Sequence, residues 1–325
     1  MAEFRKDLLT DRWVLIAEHR AARPDEFRDK AVRRIVAPCP FCAGHEDQTP
    51  SAVATYGENA WPDGGEPWQV RVVPNKYPAV QSDGHVTGIT AGAQSARGRH
   101  EVIIESPRHV VTLSELTDVQ VELTFLAYQD RLRCCRDETD LAYALVFKNA
   151  RAEGGASLEH AHSQLIATPM VPCEVAQELA GAERFQQSCG ECPFCAMLHG
   201  EIASGQRLVA ATEHFVAVCP FASRFPYEVW VLPRVHGDRF EEDPHSAELA
   251  RLVRDIVRRI ESLLPGTAYN YWIHTAPLKR TSQSVFHWHV EVITRMSRMA
   301  GFELGAGYFI NPVAPEQAAN RLRSV

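Results

Sequence analysis

The sequence predicts an α+β chain made of two related halves, each a mostly antiparallel sheet with packed helices. Three observations lead there: a motif that occurs twice, the same order of parts after each copy, and a helical run set between short strand-like runs. Cys39-Pro40-Phe41-Cys42 returns as Cys192-Pro193-Phe194-Cys195. After each copy comes a strand-like run with a histidine nearby, His100 within residues 99–106 and His236 just past residues 227–235. A long amphipathic segment and two β-like runs follow, the second run carrying a spaced histidine pair: His160 with His162, and His287 with His289. Self-similarity on this scale marks a repeated structural unit. The halves are drawn as residues 1–170 and 171–325, joined near 170–191.

Two helices are expected. Residues 114–136 hold a polar–apolar pattern free of Gly and Pro, and Thr112 with Glu115 fits a capping box. Residues 245–264 place Leu249, Leu252, Val253, Ile256, Val257, Ile260, Leu263 and Leu264 on one stripe. Strands are expected at 69–73, 101–105, 144–148, 162–167, 215–218, 228–232, 269–274 and 287–294.

At 325 residues the chain suits one large domain or two ordinary ones, and 45% hydrophobic with 23% charged residues is usual for a globular protein. A net charge of -7 speaks against a broad nucleic-acid or anionic-membrane surface. It leaves room for a basic cleft that takes one nucleotide. No run of about 18 apolar residues is present to span a bilayer. Residues 1–13 carry charges where a signal peptide needs its apolar region, so a cytoplasmic chain is expected.

Nine cysteines, an odd number, do not form a complete disulfide framework. In a reducing compartment the paired ones point to metal or redox chemistry. Two thiolates two residues apart reach one ion from a tight turn, and zinc completes its tetrahedron with cysteine or histidine. The first set is Cys39, Cys42, His100 and His160. The second is Cys192, Cys195, His236 and His287, with His214 competing for the third place. Two zinc ions per chain are expected, both structural, since four protein ligands leave no open position for water.

Residues two apart on a strand face the same way, so His160, His162 and Gln164 line one surface. A nucleophilic imidazole needs one nitrogen free and the other held by an acceptor. The turn Gly154-Gly155-Ala156-Ser157 brings small residues where backbone N–H groups meet phosphate. On spacing alone, each histidine pair also reads as two ligands of one metal, with Glu291 as a third beside His287 and His289.

Further motifs follow one another in a characteristic order: Asp11-Arg12-Trp13, Arg20 and Arg23-Pro24, Cys39 to Cys42, Val72-Val73-Pro74-Asn75, His100-Glu101, Asn149, and Ser157 through His160, His162 and Gln164. At these residues the chain resembles the galactose-1-phosphate uridylyltransferase family, a branch of the histidine-triad superfamily, over almost its whole length. The resemblance implies two histidine-triad-like halves and a ping-pong nucleotidyltransferase of carbohydrate metabolism. His162 would attack the α-phosphorus of a nucleotide sugar, and a sugar 1-phosphate would then take the nucleotidyl group. It implies zinc on Cys39, Cys42, His100 and His160, phosphate contacts from Gln164 and Ser157, nucleotide contacts from Arg20, Arg23, Asn149 and Asn75, and a homodimer.

The family's sugar-phosphate loop falls at residues 301–312, with Phe302 and Gly305 as its substrate contacts. There the chain lacks the lysine, tyrosine and glutamate of the best-known uridylyltransferases, Lys76 stands where those have aspartate, and Ala161 replaces a proline. Residues 301–313 and 147–157 are similar to a neighbouring branch that includes an ADP-sugar phosphorylase with inorganic phosphate as acceptor. A hydrolase sharing the intermediate and a non-catalytic zinc-stabilised module are the other readings weighed.

Overall fold

The computed structural model describes residues 2–18, 39–57, 68–81, 96–279, 285–297 and 299–325; Arg20 and Arg23 lie outside them. In chain order the strands of the first half are β1 (Ala2–Lys6), β2 (Trp13–Ala17), β3 (Ala54–Tyr56), β4 (Val70–Pro74), β5 (Arg99–Ile104), β6 (Tyr143–Ala150) and β7 (His162–Thr168), with helix α1 (Asp118–Asp137) between β5 and β6. Helices α2 (Cys173–Cys189) and α3 (Pro193–Ser204) follow. Then come β8 (Leu208–Ala211), β9 (Phe215–Val218), β10 (Val229–Pro233), α4 (Ser246–Leu263), β11 (Tyr269–His274), β12 (His289–Thr294), α5 (Gly301–Ala306), β13 (Phe309–Asn311) and α6 (Pro315–Arg323).

The two halves share a single sheet. Ten strands run β3-β4-β5-β7-β6-β11-β12-β10-β9-β8, and every pairing in it is antiparallel. The order β4-β5-β7-β6 is mirrored by β9-β10-β12-β11, so the repeat appears as two four-strand units meeting where Val146 faces Ile273. β9 and β10 are buried on both faces and read as continuous apolar runs, whereas β12, equally buried, carries His289 and Glu291. A smaller sheet joins β1 to β2 antiparallel and β2 to β13 in parallel.

One face of the large sheet is covered by α1 and α4. The stripe on α4 buries Leu249, Leu252, Val253, Ile256, Val257 and Ile260, and Leu263 and Leu264 pack at its edge. Helix α1 begins later than its pattern predicts. Thr112 and Glu115 do form a capping box, but it closes a 3-10 turn over Leu113–Glu115. A second box caps α1 itself: the Gln120 N–H donates to Thr117 Oγ1 (3.2 Å), and the Thr117 N–H donates to Gln120 Oε1 (3.1 Å).

The opposite face is covered unevenly. Over the second half, α2 and α3 bring Ala182, Phe194 and Leu198 onto Val216, Val218, Trp230 and Leu232. Over the first half, Phe41, Ala43 and Trp68 pack on Val73, Val102 and Ile104, and Val175 and Leu179 of α2 reach Tyr143 and Leu145 of β6. The expected junction at 170–191 is thus mostly a helix, and it packs on strands of both halves.

Phe125 of α1 is fully buried against Tyr128, Tyr271 and Phe240. Phe125→Ala is expected to destabilise the fold by about 3–5 kcal/mol. The check is urea unfolding: a lower midpoint at constant slope supports this role, and an unmoved midpoint refutes it.

Candidate active site and metal centres

The two cysteine pairs build matching clusters. Cys39 and Cys42 lie on a tight turn in which the Cys42 N–H donates to the Cys39 carbonyl (3.2 Å). His160 Nδ1 stands 3.5 Å from Cys39 Sγ and 3.6 Å from Cys42 Sγ, and His109 Nδ1 is 3.5 Å from Cys42 Sγ. In the second cluster Cys192 caps the N-terminus of α3 and Cys195 sits in its first turn. His236 Nδ1 and His287 Nδ1 lie 3.6 and 3.5 Å from Cys195 Sγ. A tetrahedral ion with metal–sulfur bonds of about 2.3 Å and metal–nitrogen bonds of about 2.05 Å holds S and N about 3.6 Å apart. Both sets fit a tetrahedral ion.

The surroundings prepare the same ligand atom in each. His160 Nε2 donates to the Ser106 carbonyl (2.8 Å) and His287 Nε2 to the Pro233 carbonyl (3.0 Å), leaving Nδ1 to coordinate. Burial pushes His160 down to about 4 and His287 down to about 3, so both rings are neutral ligands at neutral pH. Burial and the neighbouring thiol push Cys42 up to about 11 and Cys195 up to about 12. A bound cation would reverse that cost by stabilising both thiolates.

One expected ligand is corrected. His100 is not in the first cluster; His109 takes its place. His100 is on β5, and its Nδ1 accepts from the Ala79 N–H (3.0 Å). The ring proton is therefore on Nε2, which meets Gln164 Oε1 at 2.8 Å, with Asn75 Nδ2 3.0 Å away. Sequence reading missed His109 because it favoured a histidine on the strand. The repeat held a better signal: Pro107-Arg108-His109 after β5 parallels Pro233-Arg234-Val235-His236 at the end of β10. His214, the competitor in the second set, lies with His245 and Glu248 instead. Its ring stacks on His245 at 3.4 Å and 14°, and its Nδ1 meets Glu248 Oε2 at 2.6 Å.

His162 opens β7, and its Nδ1 donates to the His160 carbonyl (2.7 Å). That fixes the tautomer and leaves Nε2 with the lone pair. Burial lowers its pKa, and Lys148 adds to the effect, so the ring is uncharged at neutral pH. Phe41 packs edgewise on both His160 and His162. Gln164 shares the His162 face, and the bond to His100 holds its amide oxygen, leaving the amide N–H groups as its donor end.

Asn149 lies on the neighbouring β6, its Oδ1 accepting from Asn270 Nδ2 (2.8 Å). The glycine turn behaves differently from expectation. The N–H groups of Gly154, Gly155 and Ala156 donate to the Ala152 and Arg151 carbonyls, and only Gly155, at φ +89°, needs to be glycine for its backbone. These groups close the turn and do not cradle phosphate; Ser157 beyond it is exposed. Phe302 and Gly305 are on α5, where Phe302 stacks on Tyr308 and Tyr308 meets Phe4 of β1. Through Tyr308 they sit with the small sheet.

The second histidine pair shows what the same strand becomes when sealed. His289 Nδ1 lies 3.0 Å from the His287 carbonyl, repeating the His162 geometry. But His289 is fully buried, stacked on Trp230 and packed by Phe194. Glu178, His274 and Glu291 surround it, with Arg224 paired to both Glu228 and Glu291. Burial alone would raise the Glu291 pKa, yet Arg224 and the histidines hold it low. So His287 and His289 do not share one ion: His287 belongs to the cysteine cluster and His289 to this charge network.

With this geometry in place, comparison with known proteins gives the class. Residues 1–172 match the galactose-1-phosphate uridyl transferase N-terminal domain, and residues 178–325 match its C-terminal domain. The chain belongs to the galactose-1-phosphate uridyl transferase family. It is 35% identical to an ADP-glucose phosphorylase of Arabidopsis thaliana over 99% of this chain and 93% of that protein. It is 29% identical to a galactose-1-phosphate uridylyltransferase of Thermotoga maritima, over 99% and 98%. The crystal structure of an ADP-glucose phosphorylase from Arabidopsis thaliana with bound ADP-glucose superposes with a TM-score of 0.87 at 33% identity, over 100% and 99% of the two chains. No helix among the described residues is long and apolar enough to cross a membrane.

His109→Ala is expected to lower the metal-to-protein ratio from two towards one, whereas His100→Ala leaves it unchanged. Elemental analysis of the purified variants decides it; equal metal contents in the two would refute the exchange of ligands.

Proposed function

We propose that this chain is a nucleotidyltransferase that moves a nucleoside monophosphate from a nucleotide sugar to a sugar 1-phosphate through a nucleotidyl-His162 intermediate. The observation that carries it is the fixed His162 tautomer: a neutral ring with its proton on Nδ1, held by the His160 carbonyl, and its lone pair on Nε2. The Nε2 lone pair forms a bond to the α-phosphorus while the bond to the bridging oxygen breaks, and that oxygen leaves with the sugar phosphate. The ring becomes cationic as this happens, which strengthens its Nδ1–H bond to the carbonyl. An acceptor phosphate oxygen then attacks phosphorus, and Nε2 regains its electron pair.

Gln164 presents amide N–H groups to the phosphoryl oxygens, with His100 as the side chain that orients it. Ser157, Asn149 and Asn75, together with Arg20 and Arg23, complete the nucleotide contacts. The S2N2 clusters suit zinc, with Cys39, Cys42, His109 and His160 holding one ion and Cys192, Cys195, His236 and His287 the other. Zinc supplies rigidity here: it would pin His160, whose carbonyl holds the nucleophile. Membership of the family supports a homodimer, with Phe302 and Gly305 contacting the sugar phosphate. The setting is cytoplasmic carbohydrate metabolism.

A second reading, an ADP-sugar phosphorylase with inorganic phosphate as acceptor, is favoured by the 35% identity to the plant ADP-glucose phosphorylase and by Lys76. Both readings share the first half-reaction. Incubation with UDP-, ADP- or GDP-glucose alone should add one nucleotidyl mass to the His162 peptide, and the mass names the base. Galactose 1-phosphate or inorganic phosphate, whichever discharges that species, names the acceptor. His162→Asn should abolish labelling with metal content and fold intact; a labelled variant would remove His162 as nucleophile. Slow loss of the label in water alone would favour the hydrolase.

A further inference from the structure

Beneath the strand that carries His162 lies a fully buried ion pair that neither metal cluster nor the proposed substrate contacts use. Glu105 follows β5 and Lys148 is on β6, the two strands that flank β7. Lys148 Nζ and Glu105 Oε2 are 2.6 Å apart, with side chains 1% and 0% exposed, so the pair bridges β7 from below. Lys148 Nζ also donates to the carbonyl of His162 itself (3.1 Å). Glu105 Oε1 accepts from Tyr128 Oη (3.2 Å), and that hydroxyl reaches Ser163 Oγ (2.7 Å) and Tyr271 Oη (2.6 Å). Tyr271 stands opposite Lys148 in the β6–β11 register. The peptide of the nucleophile and the side chain of the next residue are thus both held from the helix-covered face, while the imidazole acts on the other.

Stability does not account for this arrangement. A buried ion pair loses about as much in desolvation as it gains in attraction, and an apolar pair of like volume is often as stable or more so. The second half makes the comparison within the same chain. Phe147 faces Gln164 in one unit and Trp272 faces Glu291 in the other, which puts Ile273 where Lys148 would be. β10 ends in Val231-Leu232-Pro233, with no carboxylate. That half, built on apolar residues at these places, is the one whose histidine is sealed.

We infer that Lys148 and Glu105, with Tyr128 and Tyr271, are positioning residues that hold the His162 peptide in register for attack on phosphorus. The inference rests on the nucleotidyl-His162 reading and deepens it. A histidine that must meet a phosphorus atom in line tolerates little displacement, and a misplacement of about 1 Å costs about a hundredfold in rate. Hydrogen bonds from a charged donor and a hydroxyl chain fix direction as well as distance, which apolar packing does not.

The test is the double variant Glu105→Leu with Lys148→Met, which makes this floor apolar as it is beneath His289. We expect a urea midpoint at or above that of the parent, an unchanged metal-to-protein ratio, and a half-saturating nucleotide-sugar concentration within about twofold. The single-turnover rate of His162 labelling by UDP-glucose or ADP-glucose should fall about ten- to a hundredfold. A rate within about twofold of the parent's would overturn the inference. Should the double variant fail to fold, Tyr128→Phe keeps the ion pair and removes the hydroxyl that links Glu105, Ser163 and Tyr271; a fall of about threefold or more supports the inference, and an unchanged rate overturns it. A parent chain that takes no label defeats the nucleotidyl-histidine reading and this inference with it, whereas a labelled parent with an equally fast variant defeats this inference alone.

Discussion

The hydrogen bond from His162 Nδ1 to the His160 carbonyl is the constraint on which the site depends. An imidazole is a nucleophile only through an unprotonated nitrogen, and a backbone acceptor two residues away decides which nitrogen that is. For the acceptor to stay put, His160 must be fixed, and three contacts do so. Its Nε2 donates to the Ser106 carbonyl, its Nδ1 faces the two thiols, and Phe41 packs on its ring. The cysteine turn therefore bears on the position of His162 through His160.

Duplication gives the chain an internal control. β7 and β12 both begin with a histidine whose Nδ1 meets the carbonyl two residues back, and both follow a histidine set against a cysteine pair. What differs is the cover. Helices α2 and α3 close over β10 and β12, so His289 stacks on Trp230 and meets Glu291, and Arg224 balances the local charge. In the first half the same face carries Phe41 and Trp68, and the position two residues after the histidine is the neutral amide of Gln164 in place of Glu291. A neutral donor suits an anionic phosphate, while a carboxylate there would repel it.

Much of this was legible in the residues. The repeat, the apolar stripe of α4, β9 and β11, and the faces of His162 and Gln164 follow from periodicity and spacing, because local geometry sets them. Both cysteine pairs and three of their four histidine partners could be named because the parts recur in the same order in the two halves. Helices α2 and α3 are not legible in this way: α2 falls where the sequence predicts a junction, and α3 begins inside the cysteine motif, where Cys192 and Pro193 serve as its cap and first residue.

What the sequence by itself determined was the set of groups: thiol pairs two apart, histidine pairs two apart, and the order in which they recur. Tertiary structure decided which of them meet. His109 and not His100 reaches the thiols, because β5 must end before the chain can turn back to the cysteine loop. His100 becomes the partner of Gln164 because β5 and β7 are neighbours in register. Lys148 and Glu105, far apart in the chain and unremarkable in it, become an ion pair only because two flanking strands bring them under a third. Such contacts depend on strand order, and strand order is a property of the whole sheet that no local pattern contains.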